Sequence, residues 1–262
     1  MNLGIENKVA LVTAASKGIG QAIAMELIRE GAQVVICSRS EDRINDSARH
    51  IEEKTGKKVL ALAADVSTKE GVNGLLDQVL KRYGRIDMLV ANAGGPPGGQ
   101  FMDFADEDWQ KAFDTNVMSV VRLVRGVVPS MRKTGGGRII TVASTSVKVP
   151  IQGLVLSNVM RTGVAGLMKT LSIELGPDNI LVNTVCPGRI ATDRVRQIDE
   201  ARADKQGIAI EKVEEQMKAG IPLGRYGTPE EFARTAVFLL SDANTYVTGS
   251  TLMIDGGMVT AL

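Results

Sequence analysis

Two stretches of the sequence combine residue types and spacing in a way that can do chemistry. The first is Thr13-Ala14-Ala15-Ser16-Lys17-Gly18-Ile19-Gly20, which follows an apolar run and leads into Gln21–Arg29. There Ala22, Ile23, Met25 and Leu27 recur at helical spacing. Strand, glycine turn and helix in that order make an anion site. Gly18 and Gly20 admit a pyrophosphate close to the backbone, and the helix offers it unpaired N–H groups and the positive end of its dipole. A glycine pair also fits a tight structural turn, but its place inside a β-α-β unit favours a dinucleotide. The second stretch is Ser38-Arg39, at the end of the next apolar run. NAD-preferring sites place a carboxylate there to receive the ribose hydroxyls. An acid repels a 2′-phosphate, whereas a guanidinium pairs with it in bidentate geometry, and Lys17 offers a second positive charge. NADP(H) is therefore the expected cofactor; the alternative for Arg39 is a solvated surface arginine. Cys37 and Cys186 lie far apart without metal-ligand spacing, so no metal site is expected.

These residues need a scaffold, and the apolar pattern supplies one. Short runs rich in Val, Ile, Leu and Ala alternate with longer segments of helical period, the pattern of buried parallel strands joined by crossover helices. The strand candidates are 9–14, 33–38, 58–63, 88–91, 137–143, 181–185 and 251–254. They predict a single α/β domain over 1–262, a doubly wound, mainly parallel seven-stranded Rossmann sheet with helices on both faces. Two stretches read as loops, Gly94–Gly99 and the charged 193–219, the latter the expected substrate lid at the carboxyl ends of the strands. Its charges fall at helical spacing and read as a solvated surface, so Arg194, Arg196 and Arg202 are not taken as anion ligands.

Composition excludes other classes. Of 262 residues, 44% are hydrophobic and 23% charged, which is enough apolar surface for a large core. A formal charge of +1 with both signs interspersed and 3% aromatic residues give no nucleic-acid face. No apolar run approaches the length of a membrane span, and the first residues lack a leader pattern. A cytoplasmic protein with small-molecule partners is expected.

The ordered motifs resemble the short-chain dehydrogenase/reductase family. They are Thr13–Gly20, Ala64-Asp65-Val66, Asn92-Ala93-Gly94, Asn116, Ser144, Pro187-Gly188 and Asp255-Gly256-Gly257, and they span nearly the whole chain. Asn179–Asn183, Val185-Cys186-Pro187-Gly188 and Pro222-Leu223-Gly224-Arg225 are most similar to the 3-oxoacyl-carrier-protein reductase branch. The resemblance implies that Asp65 and Val66 contact the adenine and that Asn92, Ala93 and Gly94 pack beneath the cofactor. It also implies that Pro187, Gly188, Ile190 and Thr192 embrace the nicotinamide end, and that the chain forms a homotetramer. One departure is Ala14, where the family has glycine.

The other departure concerns the reaction. In the family a serine polarises the carbonyl, a tyrosine donates the proton, a lysine four residues on lowers the phenol's pKa, and an asparagine supports the lysine. Ser144 and Asn116 match the serine and the asparagine. Ser157, thirteen residues after Ser144, falls on the tyrosine, and Arg161 falls on the lysine. A tyrosine cannot be recovered by a local shift, since none lies between Tyr83 and Tyr226. A serine alcohol is a far weaker acid than a phenol of pKa about 10, and an arginine above about 12 stays charged without relaying protons. Arg161 is left to hold the nicotinamide ribose or to stabilise an oxyanion near Ser144. Cys186 reads as a small buried residue rather than a nucleophile. The expected activity is reduction of a ketone or oxidation of a secondary alcohol with altered proton delivery. The alternative is a nucleotide-binding pseudo-enzyme or regulatory subunit that keeps the cofactor site without turnover.

Overall fold

A parallel sheet with both faces covered must be apolar on both sides of every strand, and the strands here satisfy that condition. In β1 (Val9–Thr13), Ala10 and Val12 pack on one face while Val9 and Leu11 pack on the other. The structure is a computed structural model that describes residues 2–261, so Met1 and Leu262, the ends of the expected domain, lie outside the described residues. After β1 come β2 (Gln33–Ser38), β3 (Leu60–Ala63), β4 (Met88–Ala91), β5 (Gly137–Val142), β6 (Ile180–Pro187) and β7 (Thr251–Ile254). Among the described residues they form one seven-stranded sheet in the order β3-β2-β1-β4-β5-β6-β7, with every pairing parallel. This is the doubly wound Rossmann architecture the apolar pattern predicts.

On one face lie α1 (Gly18–Arg29), α2 (Glu41–Thr55) and α9 (Pro229–Leu240), which bury Ile23, Leu27, Ile44 and Phe232 against the sheet. The other face is covered by α3 (Lys69–Tyr83), α5 (Ser119–Lys133) and α6 (Val155–Leu175), through Leu75, Val127, Val164 and Met168. Each fully buried aliphatic side chain contributes about 1.5–3 kcal/mol, so two such layers account for the drive to fold. Local signals set the helix ends. Ser40 and Thr68 accept the N–H groups of Arg43 and Gly71 at the starts of α2 and α3, and both helices close on left-handed glycines, Gly56 and Gly84.

Several boundaries differ from the sequence reading. The edge strand β3 starts at Leu60, where it first pairs with Val35, and β6 extends to Pro187, which pairs with Ile254. The charged stretch 193–219 is not a loop but two helices, α7 (Asp193–Gln206) and α8 (Ile210–Ala219), joined at Gly207 in left-handed conformation. Thr192 caps α7 by accepting the N–H of Val195 at 3.4 Å. Between α4 (Asp106–Phe113) and α5 the chain makes a π-helical turn over Asp114–Met118, a widening that the apolar period does not signal.

The segment entering β7 is held by the side chains of Asn183, Asn244 and Thr248. Asn183 of β6 is fully buried, donates to the Val247 carbonyl at 2.8 Å and accepts from the Ser250 N–H at 3.1 Å. Asn183→Ala leaves the Ser250 N–H unpaired, while the Val247 carbonyl keeps the Asn244 amide at 3.0 Å, and a loss of about 1–3 kcal/mol in urea unfolding is expected.

Candidate active site

The strand order reverses direction between β1 and β4, and open sheets bind ligands at the carboxyl ends flanking that point. A cleft of about 2340 Å³ lies there. Its floor is tied by a reciprocal pair of bonds. The Thr13 hydroxyl donates to the Asn92 carbonyl at 2.6 Å and accepts the Asn92 N–H at 2.9 Å, while the Asn92 amide donates to the Ala14 carbonyl at 3.3 Å. Ala15 donates its N–H to the Cys37 carbonyl at 3.1 Å and accepts from the Ser47 hydroxyl at 2.8 Å. Thr13 and Ala15 are fully buried behind the wall, so they shape the turn rather than line the cleft.

The turn has the form a dinucleotide needs. Ala14 and Gly18 both take positive φ, 49° and 62°. A Cβ on Gly20 would lie 2.7 Å from the Ala14 carbonyl oxygen and 2.9 Å from the Asn92 amide nitrogen, so only glycine lets α1 approach this closely. Lys17, at the N-cap of α1, provides no side-chain cap, so the first N–H groups of the helix are left for an anion. Ser16, Lys17, Gly18, Ile19 and Gly20 all line the cleft.

Arg39 and Ser38 line the cleft at the end of β2, with no carboxylate at either position. Ser38 donates to the Ser40 carbonyl at 3.0 Å, and Arg39 is exposed with no hydrogen-bond or ion-pair partner among the described residues. Arg43, His50 and Lys54 also line this end, an enrichment in base that single-residue reading missed because they arrive from different turns of α2. Lys17 differs from the expectation: its ammonium pairs with Asp193 at 2.9 Å and bridges the glycine turn to α7. That ammonium holds the Asp193 carboxyl below its ordinary value. Asp65 and Val66 line the cleft, with Asp65 accepting the Ser67 N–H and hydroxyl at 2.9 and 2.7 Å. Asn92, Ala93, Gly94, Pro187, Gly188, Ile190 and Thr192 complete the walls. The residues present fit an NADP(H) molecule: a glycine cradle, a helix start and an unpaired guanidinium where a carboxylate would exclude the phosphate.

At the other end Ser144, Asn116, Ser157 and Arg161 converge on the same cleft. The Ser144 Oγ accepts the Ser146 N–H at 3.1 Å, which orients the oxygen and leaves its own proton free to donate to a carbonyl. Asn116 sits in the π-helical turn, with its amide donating to the Ala112 carbonyl at 3.1 Å and its Oδ1 buried without a partner. Ser157 lies in the first turn of α6, with Arg161 one turn later.

The guanidinium of Arg161 is committed more fully than the sequence suggests. Nη1 donates to the Val142 carbonyl at 2.7 Å and Nη2 to the Ala93 carbonyl at 3.0 Å, tying the end of β5 to the loop after β4. The side chain is buried, and desolvation pulls its pKa down to about 10, which still leaves it charged at neutral pH. Arg161 therefore holds the floor of the site through two carbonyls, and only its remaining N–H donors are left for a ligand. Beside it the Cys186 thiol is pushed up to about 11, chiefly by burial, so it is no thiolate nucleophile. Tyr83, Tyr226 and Tyr246 do not line the cleft. Tyr226 donates its hydroxyl to the buried Asp199 at 2.8 Å, so that phenol is spent on holding α7.

Comparison with known proteins agrees with this geometry. A family model described as enoyl-(acyl carrier protein) reductase matches residues 13–259. The Homo sapiens protein named dehydrogenase/reductase SDR family member 4 is 38% identical over 254 residues, 97% of this chain and 88% of that one. The 3-oxoacyl-[acyl-carrier-protein] reductase of Chlamydia muridarum is 35% identical over 258 residues, 98% of this chain and 100% of that one. The crystal structure of L-sorbose reductase from Gluconobacter frateurii, complexed with NADPH and L-sorbose, superposes with a TM-score of 0.95 at 39% identity, covering 100% of both chains. By these matches along its whole length, the chain belongs to the short-chain dehydrogenase/reductase family and is an oxidoreductase of the kind that acts on carbonyl and alcohol groups.

Proposed function

We propose that this protein is an NADP(H)-dependent reductase of a ketone, or dehydrogenase of the matching secondary alcohol, similar to 3-oxoacyl reductases, with no phenol in its proton path. The observation that carries this reading is the unpartnered Arg39 at the end of β2, in one cleft with the spare hydroxyl proton of Ser144. Arg39 pairs with the 2′-phosphate, the N–H groups at the start of α1 receive the pyrophosphate, and Lys17 shares its charge between that anion and Asp193. When bound, the nicotinamide supplies the hydride.

The residues of the chain do the rest. Ser144 donates to the substrate oxygen and polarises the carbonyl. The Ser157 hydroxyl, one helical turn from the fixed charge of Arg161, orients a water that delivers the proton, and the guanidinium favours the alkoxide that precedes it. Positioned acid catalysis by a matched group is worth about 10²–10⁴-fold, so proton delivery through water is the slower route. Asn116, held to the Ala112 carbonyl, keeps its buried Oδ1 available to a water on this path. Helix α7 lines the cleft and α8 packs against it, which supports the segment 193–219 as the substrate lid. No specific observation favours a non-catalytic regulatory subunit, and the relatives named above are reductases or dehydrogenases.

We also propose a cytoplasmic homotetramer. No helix among the described residues is long and apolar enough to cross a membrane, and both cysteines are free and buried. Phe113, Val159, Ile173, Tyr246 and Leu252 are exposed apolar side chains on the α4–α6 face and the C-terminal segment, the surfaces expected to join subunits. Light scattering at micromolar concentration is expected to give four times the chain mass; a monomer would refute the assembly.

Two further outcomes are expected. In fluorescence titration NADPH binds at least tenfold more tightly than NADH, and Arg39→Ala removes most of that difference; equal affinities in the wild type would sink the cofactor assignment. The double variant Ser157→Tyr with Arg161→Lys gains reductase activity on activated ketones by about 10²-fold, seen in kcat rather than in NADPH affinity. An unchanged kcat in a folded, NADPH-binding variant would show that proton delivery does not limit the wild type.

A further inference from the structure

Helix α7 sorts its charges by face. Arg194, Arg202 and Lys205 line the cleft and fall within one stripe of the helix, whereas Asp199, Glu200 and Asp204 are absent from the lining. Two of these acids have partners elsewhere. Asp199 is buried, accepts from Tyr226 and pairs with Arg189, and Glu200 pairs with the outward Arg196 at 3.0 Å. The sequence reading took these arginines for a solvated surface, because charge at helical spacing does not reveal which face is turned to a cavity.

The cations on the cleft side are not neutralised. The one hydrogen-bond or ion-pair partner of Arg202 among the described residues is the Met217 thioether, with Nη1 2.7 Å from Sδ, an uncharged and weak acceptor. Arg194 donates to the Pro96 carbonyl at 3.3 Å, and Lys205 has no such partner among the described residues. The acids that share the cleft are already engaged. Asp103 accepts the Gln100 N–H at 2.7 Å, Asp108 accepts the Ala105 N–H at 3.1 Å, and Asp193 holds Lys17. Glu230 lies in the first turn of α9, where the helix dipole offsets its charge. Deeper in the cleft, the two partners of Arg161 are backbone carbonyls and not carboxylates.

From this we infer that the cleft face of α7 is an anion-recognition surface. The substrate carries a carboxylate or phosphate group that Arg202 receives, with Arg194 and Lys205 beside it. The inference rests on the carbonyl-substrate reading given above and names the substrate class of that same site. The half-buried Arg202 has most of its N–H donors unspent and is held next to a sulfur that a charged oxygen displaces readily. The Asp199 clasp to Arg189 and Tyr226 fixes the helix from the side next to this stripe, and Arg189 shares the Met217 sulfur with Arg202, so the stripe is presented in one orientation.

The test is calorimetric titration of the whole protein with hexanoate, hexyl phosphate and 1-hexanol, each with and without saturating NADPH. At least one anion is expected to bind tenfold or more tightly than the alcohol, and to weaken as salt is raised. Arg202→Gln is expected to lose at least tenfold in affinity for that anion and nothing for hexanol, Arg202→Lys to keep part of the preference, and Arg196→Ala to behave as wild type. Hexanoate ahead of hexyl phosphate identifies a carboxylic acid substrate, and the reverse order a phosphate ester. Equal binding of all three probes, an Arg202→Gln protein with undiminished preference, or an equal loss in Arg196→Ala would overturn the inference. Failure to bind NADPH with the anion preference intact would remove the cofactor reading and leave the role of α7 standing.

Discussion

The site depends on how the carboxyl ends of β1 and β4 are held at the point where the strand order reverses. Helices leave these two neighbouring strands for opposite faces, which opens the crevice and also removes the covering that would keep their ends together. The paired bonds between Thr13 and Asn92 supply that restraint, and the Asn92 amide extends it to the Ala14 carbonyl at the start of the turn. Buried hydrogen bonds of this kind add modest net stability, but losing one partner is costly, which is why they fix geometry more firmly than their net energy suggests. The glycine turn, the approach of α1 and the floor under the cofactor inherit their positions from it.

A second restraint lies one strand further along. Arg161 places a permanent charge beneath the reaction site and anchors it to the carbonyls of Val142 and Ala93 instead of to an acid. Carbonyl dipoles offset the charge without cancelling it, so the electrostatic potential on this side of the cleft stays positive. A buried carboxylate partner would have removed that field while costing further desolvation. The same side chain therefore stitches two strand ends together and sets the potential of the cleft. An ammonium on a flexible stem would keep the charge but hold the two carbonyls less rigidly, since it lacks the planar fork.

Most of the scaffold is legible in the sequence because buried parallel strands leave continuous apolar runs. The strands β2, β4 and β7 have the bounds those runs predict. Gly18 and Gly20 are legible for a similar reason, since their positions follow from chain geometry rather than from partners. The sequence is silent where a side chain's role is set by what folds against it. Nothing local tells that Lys17 meets Asp193, that Asp199 is buried beneath Tyr226, or that Arg161 spends two donors on backbone. The π-helical turn at Asp114–Met118 is hidden as well, because one extra residue in a turn barely disturbs an apolar period. The segment 193–219 reads as a loop because α7 turns charged surface to both the cleft and the solvent and α8 buries only Val213, leaving little apolar stripe to detect.

The left-handed Ala14 has a bearing on how tightly the turn can grip an anion. At φ 49° it occupies a conformation that costs an L-residue about 1 kcal/mol and a glycine almost nothing. The same methyl group narrows the range of shapes open to the chain before the turn forms, so less conformational freedom remains to be lost. A binding loop built this way gives up some stability of the fold in exchange for arriving already ordered. The entropy that a glycine there would surrender when the nucleotide docks has been spent during folding, where the whole core shares the cost.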